Sequence, residues 1–369
     1  MESVSPPFWA EGPIPPARLA TYFIGRSEDV ERLRKRWYQR APARSVILGP
    51  ARTGKRSLVA ASLVGSERDV VPVRVRVDRL LPGTPLGLVE ALLSSFQGKM
   101  DRTEWMRLTR LAHYGPADDA PLEALRALAA PLDRIPTGPA KTPLRPVVVF
   151  EGAERLAELP EEALSALDDL LATTRAHVVA LAAHVPSVLV ERVPTLFGPT
   201  GTRTLRPATL SKKEATDFVR ARFAAVQCQP APEALELLLD YAAGDPGSLQ
   251  LLGARCHDVL RRKGKGRLTE EDVVEGLYLA LESLPPEWTR ILGELKGRGR
   301  DVFVALAVLP QPNVATIGRR IHLDGKNVSV LLGRLVERGA PVEKVGRGRF
   351  RITHRLLAEW IKKEWAVVG

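Results

Sequence analysis

Gly49, Gly54 and Lys55 stand at the spacing G-x-x-x-x-G-K within "ILGPARTGKRSL" (Ile47 to Leu58). Residues of these types at this spacing can hold a polyphosphate. The two glycines permit backbone angles that turn successive N–H groups inward, the following helix offers its N-terminus, and Lys55 reaches the terminal phosphates. Pro50 and Thr53 belong to the same loop and count among its contact residues. The next position normally carries a hydroxyl that ligates magnesium, and here it is Arg56. Ser57 comes one residue later, about 100° around the helix, so it cannot simply take over that role. An ordinary glycine-containing turn is the rival interpretation. It is disfavoured because a strand pattern precedes the loop and a helix pattern follows it.

The elements that must position this loop alternate between strand and helix. "SVIL" reads as a short buried strand, "KRSLVAASLVG" as the helix after the loop, and "VVPVRVRV" as a half-exposed strand with alternating apolar and basic residues. A helix is expected over Pro85 to Phe96, a surface loop over Pro136 to Pro146, and buried strands at "VVVF" and "HVVALAA" around a helix in "PEEALSALDDLLATT". "TRTL" is expected as a short final strand. The spacing of Val30, Leu33 and Trp37 places a helix before the first strand. Such alternation predicts an α/β fold with a mostly parallel sheet. From Ser211 the pattern turns helical, with capping boxes at Ser211/Glu214 and Thr269/Asp272. The expected organisation is a Pro-rich extended arm over 1–20, an α/β domain over 21–208, a helical domain over 209–284 and a terminal domain over 285–369.

Composition narrows the class. At 369 residues with 45% apolar and 26% charged residues, the chain has the balance of a soluble globular protein. Its two cysteines, Cys228 and Cys256, match no metal-ligand spacing, and a reducing cytoplasm is the expected compartment. No secretory leader or membrane-spanning apolar run is apparent, so no membrane partner is expected. Six scattered histidines without H-E-x-x-H, and the lack of a G-x-S-x-G elbow, point away from zinc and serine chemistry. The net charge is +11, and Pro285 to Gly369 alone holds 16 Lys and Arg against 8 Asp and Glu, or +8. A basic terminal domain suits nucleic acid or another acidic partner.

Five stretches in order, "YFIGRSEDVERL", "GPARTGKRSL", "VVVFEGAERL", "LRPATLSKKEATDFV" and "GDPGSLQLLG", give a chain that resembles one group of P-loop ATPases. The group comprises the archaeal-type ATPases, the STAND signalling ATPases and the AAA+ replication initiators, and the resemblance covers nearly the whole chain. It implies a P-loop sheet with a helical lid and a C-terminal winged helix-turn-helix. It also implies ATP or ADP as cofactor, an adenine pocket formed with Phe23, Ile24, Gly25 and Arg26, and a G-x-P lid turn at Gly244 and Pro246.

Several positions depart from what the resemblance implies. The magnesium hydroxyl is Arg56, and an arginine there could neutralise phosphate charge without a metal. The Asp-Glu pair that holds magnesium and activates water appears as Glu151 and Gly152. Ala182, Ala183 and His184 stand where a polar sensor is expected, and Gly247 where initiators carry an arginine. Arg203 or Arg206 could serve as a trans-acting arginine finger in an oligomer. Loss of both metal hydroxyl and base bears on turnover, since phosphoryl transfer relies on metal and positioning. The expectation is nucleotide binding with weak or no hydrolysis, with magnesium in doubt.

For the terminal domain, Lys326 to Arg338 is the expected recognition helix. Val328, Leu331, Leu332 and Leu335 face inward, and Lys326, Asn327, Ser329 and Arg334 face a major groove. Lys344, Arg347, Arg349 and Arg351 of the following hairpin would meet phosphates. DNA is thus the expected partner, with a homo-oligomer or protein partner still open. "RRKGKGR" (Arg261 to Arg267) is expected as a solvated loop, and His354 as a capping or packing residue of the closing helix. Two alternatives stay open: an active ATPase with a rearranged metal site around Glu151, and an interaction scaffold whose nucleotide site is a relic.

Overall fold

The buried apolar runs do become strands. The computed structural model describes residues 6–50, 52–66, 69–77, 83–115, 119–133, 145–200, 202–283, 292–293, 295–337 and 340–365. The contacts divide the chain into two units, one of Arg26–Gly49 with Lys55–Pro207 and the other of Met1–Gly25 with Pro50–Gly54 and Ala208–Gly369.

The α/β unit runs α1 (Ser27–Trp37), β1 (Arg44–Leu48), α2 (Lys55–Leu63), β2 (Val70–Arg76), α3 (Pro85–Phe96), α4 (Arg102–Tyr114), α5 (Ala120–Ala127), β3 (Arg145–Glu151), α6 (Glu161–Thr173), β4 (His177–Ala182) and β5 (Thr202–Leu205). Its five strands lie in the order β2-β3-β4-β1-β5, every pair parallel. β1 and β4 are buried along their whole length, as strands covered by helices on both faces must be. β2 alternates and lies at one edge, where Pro72 is tolerated because that side of the strand donates no ladder hydrogen bond. One core layer packs Val73, Val148, Phe150 and Val178 against Leu88, Leu92, Phe96, Leu164 and Leu167. Between Phe96 and Pro136 the sequence carries no expectation, and the structure places α4 and α5 there. Most of the predicted loop, 136–144, lies outside the described residues, but its last two, Arg145 and Pro146, already belong to β3.

At the amino-terminal end of the sheet two polar side chains are buried. The Arg44 guanidinium donates to the carbonyls of Ala176 at 2.6 Å, Thr174 at 3.0 Å and Leu171. His177 is fully buried, and its Nδ1 accepts the N–H of Ala43 at 2.9 Å. Both tie the chain entering β1 to the chain entering β4, and so fix the register of the two strands beneath the loop.

The helical unit contains α7 (Lys212–Ala224), α8 (Pro232–Ala242), α9 (Pro246–Lys263) and α10 (Glu270–Glu282). Both predicted capping boxes form, Ser211 with Glu214 and Thr269 with Asp272. Arg262 and Lys263 of "RRKGKGR" are held by Glu275, and Lys263 and Lys265 also meet the buried Asp272. The N-terminal segment packs here. Phe8 is 2% exposed and meets Phe218 and Phe223 edge-to-face at 5.9 and 5.1 Å. Gln250 receives the Trp9 N–H and donates to the Tyr22 carbonyl, both at 2.8 Å. Gly253 makes room for this, since a Cβ there would stand 2.5 Å from the Phe8 ring.

The same unit ends with α11 (Arg298–Val308), α12 (Val314–Ile321), α13 (Gly325–Glu337), the antiparallel hairpin β6 (Val342–Gly346) and β7 (Arg349–Ile352), and α14 (Arg355–Trp365). The "LPPEW" boundary at 284–288 and the predicted end of the recognition helix at Arg338 lie outside the described residues. Val328, Leu332 and Leu335 are buried and Leu331 half-buried, so α13 presents the inward face its spacing predicts. α14 joins α8 through Arg355, which reaches Asp240 at 2.5 Å and stacks 5.1 Å over the Tyr241 ring. No helix among the described residues is long and apolar enough to cross a membrane.

Candidate functional site

In a parallel sheet the loops at the carboxyl ends of adjacent strands converge, and ligands bind there. Leu48 of β1 is in register with Ala182 of β4, and Glu151 of β3 with Leu181. The chain therefore leaves β1, β3 and β4 side by side, which brings Gly49, Glu151 and the Ala183–His184 segment to one edge. Gly49 N–H donates to Ala182 O at 3.1 Å and Gly152 N–H to Leu181 O at 3.0 Å, and these bonds anchor both loops to β4.

The loop has the backbone its glycines allow. Gly54 takes φ 79°, a conformation open to glycine, and Arg52 also lies in the left-handed region at φ 66°. Thr53 Oγ1 donates to Pro50 O at 3.0 Å. Lys55 opens α2, and its Nζ donates to Gly49 O. Ser57 is buried, as its position around the helix from residue 56 requires.

Arg56 and Glu151 form the decisive contact of this edge. Glu151 Oε2 lies 2.8 Å from Arg56 Nε, and its side chain is only 5% exposed. Arg76, its cross-strand neighbour on β2, stands 3.7 Å from the same oxygen. A magnesium site needs oxygen ligands in near-octahedral array. Among the described residues, position 56 offers no hydroxyl and the Glu151 carboxylate faces guanidinium groups, a set that does not fit the metal. Gly152 takes φ 72°, so a glutamate at that place would be strained as well as new. Glu154 is turned to another task, its Oε2 accepting the Ala183 N–H at 3.2 Å. The neighbouring His184 has its pKa lowered by burial, partly offset by Glu154.

In the helical unit, Phe23 is half-buried and Ile24 buried, and Gly25 takes φ +56°. A Cβ on Gly25 would stand 2.6 Å from Glu214 Oε1, so the capping box of α7 closes on this glycine. Arg26, buried and at φ 58°, is the N-cap residue of α1 in the α/β unit. Gly244 and Pro246 flank Asp245, whose carboxylate caps α9 by accepting Ser248 N–H at 2.7 Å. Gly247 packs on the loop residue Arg52, whose carbonyl would lie 2.5 Å from a Cβ placed there. An arginine at this position has no room in this arrangement. His354 is buried, with Nδ1 3.7 Å from the same Asp245. The resemblance marks Gly247 as a departure, and the structure shows the Arg52 carbonyl against it.

The fold and this edge together have the form of a nucleotide-binding ATPase, and the family comparison agrees. The novel STAND NTPase 1 family matches residues 17–303. The chain belongs to that family. Among solved structures, a Walker-type ATPase of Pyrococcus abyssi is similar at 16% identity and a TM-score of 0.68, covering 96% of this chain and 99% of that one. The ORC2 protein of Aeropyrum pernix, in ADPNP–ADP complexes, is similar at 13% identity and a TM-score of 0.60, over 99% and 98% of the two chains. No curated protein matches the sequence. These likenesses establish the fold of a P-loop ATPase, and the family is one of nucleotide-binding AAA+/STAND-like proteins.

At the terminal module, Lys326, Asn327, Ser329 and Arg334 are exposed on α13, and Lys344, Arg347, Arg349 and Arg351 are exposed on the hairpin. Two of them have partners that the sequence alone does not reveal. Asn327 donates its side-chain amide to Asp324 at 2.5 Å, and Arg351 is ion-paired with Glu343 across the hairpin. The structure gives Lys344, Arg347 and Arg349 no ion pair among the described residues. On the α/β unit, Arg203 and Arg206 are both exposed, and Arg203 lies near enough to Arg36 to help lower its pKa after burial.

Proposed function

We propose that this STAND protein holds ATP or ADP as a regulatory ligand with weak or no hydrolysis, and engages DNA through a C-terminal winged helix. The Arg56–Glu151 contact carries the first part. Phosphoryl transfer needs charge neutralised at the transferring phosphate and a positioned water. The carboxylate that would organise both is engaged by arginine, and the residue after it is a left-handed glycine. The residues assigned to phosphate by the sequence pattern are Gly49, Pro50, Thr53, Gly54, Lys55 and Ser57, and the resemblance assigns Phe23 to Arg26 and Pro246 to the nucleoside. Labelled ATP and ADP titrated onto the purified chain should bind, while released phosphate stays near background. Sustained turnover of bound ATP would refute the proposal in favour of an active ATPase with a rearranged site.

For DNA, the three-helix and hairpin order and the exposed Lys344, Arg347 and Arg349 support phosphate contacts from the wing. Arg347→Ala with Arg349→Ala should weaken binding of any duplex and reduce the salt slope by about 2. A shift unchanged by the double variant would remove the wing from the interface. A protein partner is the second reading. It is favoured by the apolar Val330, Val336 and Val345, 45%, 40% and 50% exposed on the same module, and by the tying of Asn327 and Arg351.

A further inference from the structure

We infer that Arg56 stands in for the metal, so that this site takes its nucleotide as the metal-free polyanion and magnesium opposes binding. This rests on the proposed nucleotide site and adds its ligand form. Arg56 lies one residue after Lys55 on the first turn of α2, where the family's metal hydroxyl would be, and its Nε is 2.8 Å from Glu151 Oε2. The guanidinium thus already makes the contact with the strand-end carboxylate that a magnesium ion would make. A guanidinium is always charged and presents several donors in a fixed fork, which suits phosphate oxygens as well as carboxylate. It can face Glu151 with one edge and phosphate with another. Arg76, 3.7 Å from the same carboxylate, stands by to hold Glu151 when Arg56 turns toward the ligand.

A magnesium ion brought in by the nucleotide would meet this cation at close range and would find Glu151 held by arginine. The two arrangements exclude each other. Only the uncomplexed fraction of nucleotide then binds, and apparent affinity falls in proportion to that fraction. ATP, which complexes magnesium more strongly than ADP, should lose more.

The test is equilibrium binding of fluorescent ATP and ADP to the whole chain, in EDTA and in millimolar magnesium. For the natural protein the dissociation constant should rise with magnesium, about tenfold for ATP and less for ADP. Arg56→Ser restores the hydroxyl and takes away the nearer of the two guanidinium groups on Glu151, leaving Arg76 at 3.7 Å, and should reverse the order so that magnesium tightens binding. Arg56→Lys keeps the cation and should keep the natural order, which controls for misfolding of the serine variant. If magnesium leaves the affinity of the natural protein unchanged or tightens it, the inference is overturned while the nucleotide reading stands. Absence of binding in both buffers overturns both.

Discussion

Lowering the pH should destabilise the α/β unit through one residue, His177. The ring is fully buried, and its Nδ1 accepts the Ala43 N–H at 2.9 Å, a bond that only the neutral imidazole can make. Burial above all, then the cations of Arg145 and Arg44, draws its pKa from 6.5 down to about 4, with the Trp37 backbone opposing slightly. In the unfolded chain the ring takes up its proton near the ordinary value. The unfolded state therefore binds the proton first as pH falls. Stability present at neutral pH is lost progressively from about pH 6.5 toward pH 4. At about pH 5 the unfolded ring is mostly charged and the folded ring mostly neutral, which amounts to a loss of about 2 kcal/mol relative to pH 7. Urea unfolding at both pH values, for the natural protein and for His177→Asn, isolates this contribution. The asparagine Oδ1 can stand where Nδ1 stands and accept the same N–H, yet it does not titrate. The natural protein should lose about 2 kcal/mol more than the variant, all other titrating groups being common to both. A difference below about 0.5 kcal/mol would refute the reasoning.

Other substitutions probe the remaining supports. Arg44→Met removes the donor shared by the Ala176, Thr174 and Leu171 carbonyls, and should cost about 3 kcal/mol in the same unfolding assay. Phe8→Ala should destabilise the helical unit by about 3–5 kcal/mol, seen as an earlier thermal transition of that unit, because its ring fills the space over Gly253. Gly247→Ala places a methyl 2.5 Å from the Arg52 carbonyl. It should strain that contact by about 1–3 kcal/mol and weaken ATP in a binding titration; unchanged affinity would show that the lid turn and loop do not need to touch.

Much of the α/β unit was legible because its signals are local. Runs such as "SVIL", "VVVF" and "HVVALA" can be satisfied only as covered strands, and Ser211/Glu214 and Thr269/Asp272 specify their helix starts within four residues. The glycine loop was legible for the same reason, since its spacing encodes its backbone. What the sequence did not display is pairing over distance. Arg56 was visible as a departure, but its ion pair depends on the register that puts Glu151 at the end of β3. Gly247 was visible as a missing arginine, and the carbonyl of Arg52 that excludes a side chain was not. Asn327 and Arg351 show the converse: their outward direction was legible, while Asp324 and Glu343, which hold them, were not. The first twenty residues were least legible, because Pro and Gly content describes a free arm well and gives no sign that Phe8 has a destination.

That destination has a consequence for how the protein is made. Phe8 and Trp9 find their partners at Phe218, Phe223 and Gln250, and Trp9 lies 241 residues from the last of these. At ribosomal speeds of about 5–20 residues per second, those partners are synthesised roughly 10–50 s after the aromatic pair. During that interval a Pro-flanked Phe-Trp segment is an exposed apolar peptide of the kind that chaperones capture. The helical unit completes only when its earliest and later segments meet, so a newly made chain stays incomplete long after its glycine loop has been synthesised.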